Sequence, residues 1–230
     1  MGLWNDFIAL IYPRNCITCD NSLYKHENMI CNHCYLTLPK SNFHSEENNE
    51  LERLFTGRVP IVKAGSYYLF EKSGKVQRLL HSIKYKRNKQ LAEQVGSWYA
   101  QSLKDYNEIR MADMIIPVPL HPKKQKQRGY NQSEEFAKGL SKEFSIPVNT
   151  NNLIRNTFTE TQTRKQKFER WENVEGKFEL KDPGAFANKT IVLVDDVITT
   201  GATIDACYEA LKNVPGIKVS VLSIAYAKKM

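Results

Sequence analysis

Two adjacent carboxylates followed by a hydroxyl-rich turn are the residues of this chain best placed to do chemistry. Asp195 and Asp196 follow Ile191-Val192-Leu193-Val194, a run that reads as a buried strand. Next comes Val197-Ile198-Thr199-Thr200-Gly201-Ala202-Thr203, after which Ile204, Cys207, Tyr208, Leu211 and Val214 recur at helical spacing. The predicted unit is strand, turn, helix, with both acids at the strand's carboxyl end. Ligands of open α/β sheets bind beyond such ends, and a helix N-terminus there offers unpaired N–H groups to an anion. The turn therefore suits a phosphate, with Asp195 and Asp196 beside it for sugar hydroxyls or a metal ion. The competing reading is a surface Asp-Asp ahead of a capped helix. A P-loop fits poorly, because no lysine follows Gly201 and no G-x-G-x-x-G is present.

A second chemical pattern lies near the amino terminus, where Cys16-x-x-Cys19 and Cys31-x-x-Cys34 form a paired knuckle. Two such turns complete a tetrahedron of thiolates around one ion, which is structural zinc chemistry with no coordination position left open for catalysis. A rubredoxin-type iron site is the alternative. His26 and His33 lie close enough in sequence to substitute as ligands, although four thiolates make this unnecessary. Disulfides are not expected in a reducing compartment. Cys207, on the apolar stripe of the later helix, reads as a buried small residue.

The elements that must position these groups come from composition and period. At 230 residues and 41% apolar, the chain can bury one large domain or one domain with a small appendage. No apolar run approaches the roughly 20 residues that cross a bilayer, and no secretory leader is evident. The expectation is a cytoplasmic protein without stable membrane insertion, and Trp4, Phe7, Ile8, Leu10 and Ile11 read as a short amphipathic helix packed on it. Strand character runs from Ala64 to Phe70 and from Asp113 to Pro119. Helical spacing spans Val76 to Ile83, Leu91 to Leu103, and a stretch carrying Phe136, Ala137, Leu140 and Phe144. A polar loop is expected from Pro119 to Arg128. Strand, loop and helix thus recur twice, which predicts a doubly wound α/β fold with a mainly parallel, twisted sheet. The division expected is 1–40 for the cysteine module, 41–58 for a polar linker, and 59–230 for the α/β domain. A net charge of +8 points to polyanionic partners. Lys84, Lys86 and Arg87, with Lys123, Lys124 and Lys126, are the candidate nucleic-acid contacts, and Tyr85 and Tyr130 interleave with them as stacking platforms. An ordinary solvated basic surface is the alternative.

The thirteen residues from Ile191 to Thr203 resemble the phosphoribosyl diphosphate (PRPP) signature of type I phosphoribosyltransferases. That resemblance implies that Asp195 and Asp196 bind the ribose hydroxyls at the catalytic centre. It implies that the stretch carrying Val197, Thr199, Thr200, Gly201, Ala202 and Thr203 binds PRPP and wraps its 5′-phosphate, with Mg²⁺ accompanying the ligand. It also places pyrophosphate on Pro119 to Arg128, with Arg128 the preferred side chain. The polar stretch from Arg155 to Arg170 takes the position of a flap that closes over PRPP, where Arg164, Lys165 or Arg170 would meet the departing pyrophosphate.

The order of motifs narrows the likeness. A four-cysteine knuckle is followed by Lys84-Tyr85-Lys86, Pro117-Val118-Pro119, Arg128-Gly129-Tyr130-Asn131-Gln132, Thr161-Gln162-Thr163 with Arg170, Asn173 and Val174, and then the two acids. This order resembles the ComF family (ComFC- or GntX-like proteins) over essentially the whole chain. One departure is that Arg87-Asn88 stands where the family commonly has a glycine. The resemblance implies a role in natural transformation, handling incoming single-stranded DNA, often beside a helicase-like competence protein. Two readings follow: a phosphoribosyltransferase acting on an acceptor that the sequence does not specify, or a non-catalytic DNA-binding or partner-docking accessory that keeps the PRPP site as a ligand or 5′-phosphate sensor.

Overall fold

The computed structural model of the chain describes residues 13–155 and 178–228. The expectations for the amino-terminal amphipathic stretch, for Thr161 to Thr163, for Arg164, Lys165 and Arg170, and for Asn173 and Val174 lie outside those residues. After the cysteine segment and its helix α1 (Asn32–Thr37) come α2 (Glu50–Phe55), β1 (Ile61–Leu69), α3 (Lys75–Tyr85), α4 (Lys89–Ser102), α5 (Asn107–Arg110) and β2 (Met114–Pro117). The chain continues through α6 (Pro122–Arg128), α7 (Gln132–Phe144), β3 (Leu153–Arg155), β4 (Phe178–Leu180), β5 (Thr190–Ile198), α8 (Ala202–Leu211) and β6 (Lys218–Tyr226).

β1, β6, β5 and β2 lie side by side in that order in one parallel sheet. Val148 adds a single parallel bridge outside β2, and β3 with β4 forms a separate antiparallel ribbon. From β1 the chain crosses to β2 and on to Val148, then winds back through β5 to β6. Reversing the winding direction puts successive helices on opposite faces of a parallel sheet. On one face, α3, α4, α7 and the cysteine segment pack Leu79, Val95, Phe136 and Cys34 against Val192, Val194 and Leu222. On the other, α2 and α8 pack Phe55, Ile204 and Leu211 against Ile191, Leu193 and Val221. β5 is apolar at consecutive positions because both of its faces are covered. Gly96 of α4 and Gly139 of α7 let these helices touch backbone to backbone, since a Cβ at either would run into the other helix.

Two regions differ from expectation. Residues 41–58, read as a linker from their polar and acidic composition, contain a helical turn at Phe43–Ser45 and the helix α2, with Leu51 and Phe55 fully buried. The polar residues that suggested exposure are structural. Asn49 and Glu52 form a capping box on α2, and Asn49 also donates to the Ala64 carbonyl oxygen on β1 at 2.9 Å. The segment expected as a loop from Pro119 to Arg128 is largely α6. Its sequence, Pro-Lys-Lys-Gln-Lys-Gln-Arg, has no apolar period to announce a helix, and α6 buries no residue. Its ends do announce one, with Pro122 in the first turn and Gly129 left-handed at φ 80° just after it.

Candidate functional site

β5 continues past its last pairing with β2, at Val194 opposite Pro117, while it stays paired with β6 out to Ile198. Asp195 and Asp196 therefore sit where β2 leaves the sheet and a crevice opens. As strand neighbours they alternate sides. Asp196 has the parity of Val192 and Val194, and on the α3 side Lys84 Nζ lies 3.1 Å from its Oδ2 and an Arg128 nitrogen 4.0 Å from the same oxygen. Asp195 receives the Ser133 hydroxyl of α7 at 3.2 Å and the Asp196 N–H at 2.8 Å, both on Oδ1. Burial first, then the adjacent Asp196 charge, push the Asp195 carboxyl up to about 7. A cavity of about 170 Å³ is lined by both acids together with Lys84, Lys124, Arg128, Ser133, Arg155 and Thr203.

Asp195, Val197 and Thr203 also line a second hollow of about 100 Å³, formed by the turn from Thr199 to Ala202. Gly201 caps α8 at φ 77°, in the left-handed region that glycine enters freely. A Cβ there would come within 2.7 Å of the Phe55 ring, so α2 lies directly beneath the turn. Arg58, just after α2, fastens the turn from outside. It donates to the Thr200 carbonyl oxygen at 3.1 and 3.2 Å and pairs with Asp205 in the first turn of α8. The Ala202 N–H reaches the Thr200 hydroxyl at 3.4 Å, while the other opening N–H groups of α8 lack intrahelical acceptors and border the hollow with Thr199, Thr200 and Thr203, an arrangement that suits an anion.

The basic residues expected at a nucleic-acid surface divide between two places. Lys84 faces Asp196 and Lys124 lines the cavity, whereas Lys86, Arg87, Lys123 and Lys126 are exposed. The two basic clusters, distant in sequence, converge. Arg128 lies 5.7 Å over the Tyr85 ring and Lys89 lies 5.4 Å over the Tyr130 ring. The Tyr130 hydroxyl donates to the Ile83 carbonyl oxygen, and Arg87 borders Gly129. Tyr85 is 60% exposed, enough for a flat partner to stack on it, whereas Tyr130 is buried. Arg87 has φ 54°, a left-handed backbone.

In the cysteine cluster the four Sγ atoms all lie within 4.8 Å of one another. Cys19 and Cys31 are separated by 3.8 Å, which is the edge of a tetrahedron with metal–sulfur bonds of about 2.3 Å and far beyond a disulfide bond. The Cys31 N–H points at the Cys16 sulfur at 3.3 Å, and the Cys34 N–H at the Cys31 sulfur at 3.4 Å. The donor set thus fits a tetrahedral ion such as zinc, held by Cys16, Cys19, Cys31 and Cys34. Neither His26 nor His33 joins it, and Cys207 is buried under α8 as expected. Arg78 of α3 donates to the Thr18 carbonyl oxygen at 3.2 Å, tying the first knuckle to that helix.

Sequence reasoning missed Ser133, Arg58, Phe55 and Arg155 as parts of the site. Ser133 follows the Arg-Gly-Tyr-Asn-Gln run and so had a local signal. Arg155 opens the stretch read as a flap without being singled out, whereas Arg58 and Phe55 reach the turn across long stretches of chain and had no signal.

Residues 130–228 match the model of the phosphoribosyl transferase domain. The chain is 33% identical over 123 residues to competence protein F of Haemophilus influenzae, covering 53% of each chain. It is 28% identical over 129 residues to DNA utilization protein YhgH of Escherichia coli O157:H7, covering 55% of this chain and 56% of that one. It is 35% identical over 91 residues to competence protein ComFC of Bacillus subtilis strain 168, covering 40% and 35%. The chain spans about half the length of the curated relatives it matches first. The matched domain and the parallel sheet wound with helices on both faces give the chain a type I phosphoribosyltransferase fold, and with the cysteine cluster ahead of it the chain is similar to competence proteins F and ComFC.

Proposed function

We propose that this protein binds Mg²⁺–PRPP between the Thr199–Thr203 turn and the Asp195–Asp196 pair, and that it serves the handling of DNA taken up by the cell. The observation that carries the reading is the adjacency of an anion cradle, two carboxylates and a cationic wall around one crevice. The 5′-phosphate would rest on the opening N–H groups of α8, the ribose hydroxyls against the carboxylates, and the pyrophosphate toward Lys84, Lys124 and Arg128. Magnesium, when bound, neutralises pyrophosphate charge and is held mostly by ligand and water. Zinc at the cysteine cluster is structural in this reading. The names of the relatives, competence and DNA utilization proteins, support the cellular role. Among the described residues no helix is long and apolar enough to cross a membrane, and the reading places the protein in the cytoplasm with a helicase-like partner.

Transfer would break the bond from the anomeric carbon to pyrophosphate and form one to a nitrogen of the acceptor. The test is pyrophosphate release from Mg²⁺–PRPP across a panel of nucleobases and amines. Release with one acceptor class supports an enzyme, and PRPP binding without release from any of them removes the catalytic part. The convergence of the basic clusters around exposed Tyr85 favours a second reading, single-stranded DNA binding beside the cavity with PRPP or a 5′-phosphate as regulator. Binding of an oligonucleotide that weakens with salt and with Lys123, Lys124 and Lys126 replaced is expected. Binding that ignores salt counts against it.

A further inference from the structure

Arg155 ends β3 and lines the Asp195–Asp196 cavity together with Lys84. Its guanidinium lies 5.2 Å over the Phe178 ring, where the ribbon returns as β4. Among the described residues it makes no ion pair and has no hydrogen-bond acceptor, and its buried Nε has no partner. A guanidinium carries donors in a fixed plane, and leaving them unmet away from water is costly.

Asp195 presents the complementary shortage. Both of its hydrogen bonds fall on Oδ1, and among the described residues no cation pairs with it, whereas Asp196 has both Lys84 and Arg128. Asp195 also lines the hollow of the turn that opens α8. A carboxylate without a cation and a guanidinium without an acceptor thus line one cavity without touching. The gap between them suits a ligand that offers hydroxyls to the acid and an oxyanion to the arginine.

We infer that Arg155 binds a phosphoryl oxygen of the phosphoribosyl ligand, as a second cationic wall in addition to the one built from Lys84 and Arg128. Its planar fork matches a phosphate edge, and the Phe178 ring beneath it fixes the plane. The inference rests on the reading of this cavity as a PRPP site and adds a residue that neither the phosphate turn nor the pyrophosphate wall supplies. The phosphoryl group belongs either to the 5′-phosphate or to the pyrophosphate, and fragments separate the two.

The experiment is calorimetric titration of the full chain and of Arg155→Met, Arg155→Gln and Arg155→Lys with PRPP and Mg²⁺, with ribose 5-phosphate, and with pyrophosphate and Mg²⁺. Melting of each ligand-free protein is recorded alongside. Arg155→Met and Arg155→Gln should weaken PRPP at least about tenfold, and Arg155→Lys by less, because it keeps the charge and loses the fork. Ligand-free melting should stay unchanged. A matching loss with ribose 5-phosphate alone assigns the contact to the 5′-phosphate, and one with pyrophosphate alone assigns it to the leaving group. Wild-type affinity for all three ligands in the Gln variant overturns the inference, as does lowered melting with affinities intact. If the unmodified chain binds PRPP and the variants bind it equally, only this inference falls. If the unmodified chain binds none of the three, the PRPP reading falls and takes the inference with it.

Discussion

The cysteine cluster and the carboxylate crevice both suit ions, and they are built in opposite ways. The cluster takes all its ligands from residues 16 to 34, fixes two of the sulfurs with backbone N–H groups, and shares its core with Leu79 and Tyr67. The crevice takes its groups from α3, α6, α7, β3, β5 and α8, and leaves Asp195 and Arg155 without charge partners among the described residues. The first is closed by its own residues and packs into the core beside the sheet. The second is open and incomplete, as a site for an exchangeable ligand must be.

Stripping the metal should produce the largest effect that sharpens this contrast. Because Cys16, Ile30, Cys31 and Cys34 lie in the same core as the sheet, chelation or Cys34→Ser should lower the melting of the whole chain by about 10 °C or more. A main transition that does not move would show the cysteine segment to be a separable module. Next in size is the phosphate turn. Gly201→Ala must hold φ 77° and press on the Phe55 ring, at a combined cost of about 2 kcal/mol. Phe55→Leu in the same chain should recover the packing part but not the backbone part, and a double-mutant cycle measures the split. Strict additivity would mean that α2 does not support the turn.

A smaller effect concerns the charge that the crevice leaves unpaired. A carboxyl raised from 3.8 to about 7 by burial and by Asp196 binds its proton more tightly in the folded chain than in the unfolded one, so ionising it opposes folding. That cost is complete above pH 7, shrinks as the pH falls from 7 toward 3.8, and is gone only below it. Asp195→Asn, uncharged throughout, should therefore gain on the parent as the pH rises, by about 2–3 kcal/mol more near pH 8.5 than near pH 5. Urea midpoints at the two pH values decide it. The same gain at both would mean that the carboxyl is not raised.

What the sequence makes legible follows the same division. The knuckle and the strand–turn–helix around Asp195 are local patterns in which residue type, spacing and chemistry coincide, so both can be read along the chain. Period two cannot show on β5, covered on both faces, yet its apolar run still marks it. The fastenings of the crevice are non-local. Arg58 reaches Thr200, and Phe55 packs under Gly201, from a segment whose acidic residues resemble a linker because they cap a helix instead of facing solvent. α6 is hidden for a related reason, since a helix that buries nothing carries no apolar stripe. Lys84 reads as one of a basic surface cluster, and only the fold brings it to Asp196.

The most direct test of the central claim is calorimetric titration of the purified chain with PRPP and Mg²⁺, beside the Asp195→Ala/Asp196→Ala double variant. Saturable binding by the parent is expected, with its loss in a variant that still folds. Undiminished binding in the variant, or none in the well-folded parent, would contradict it.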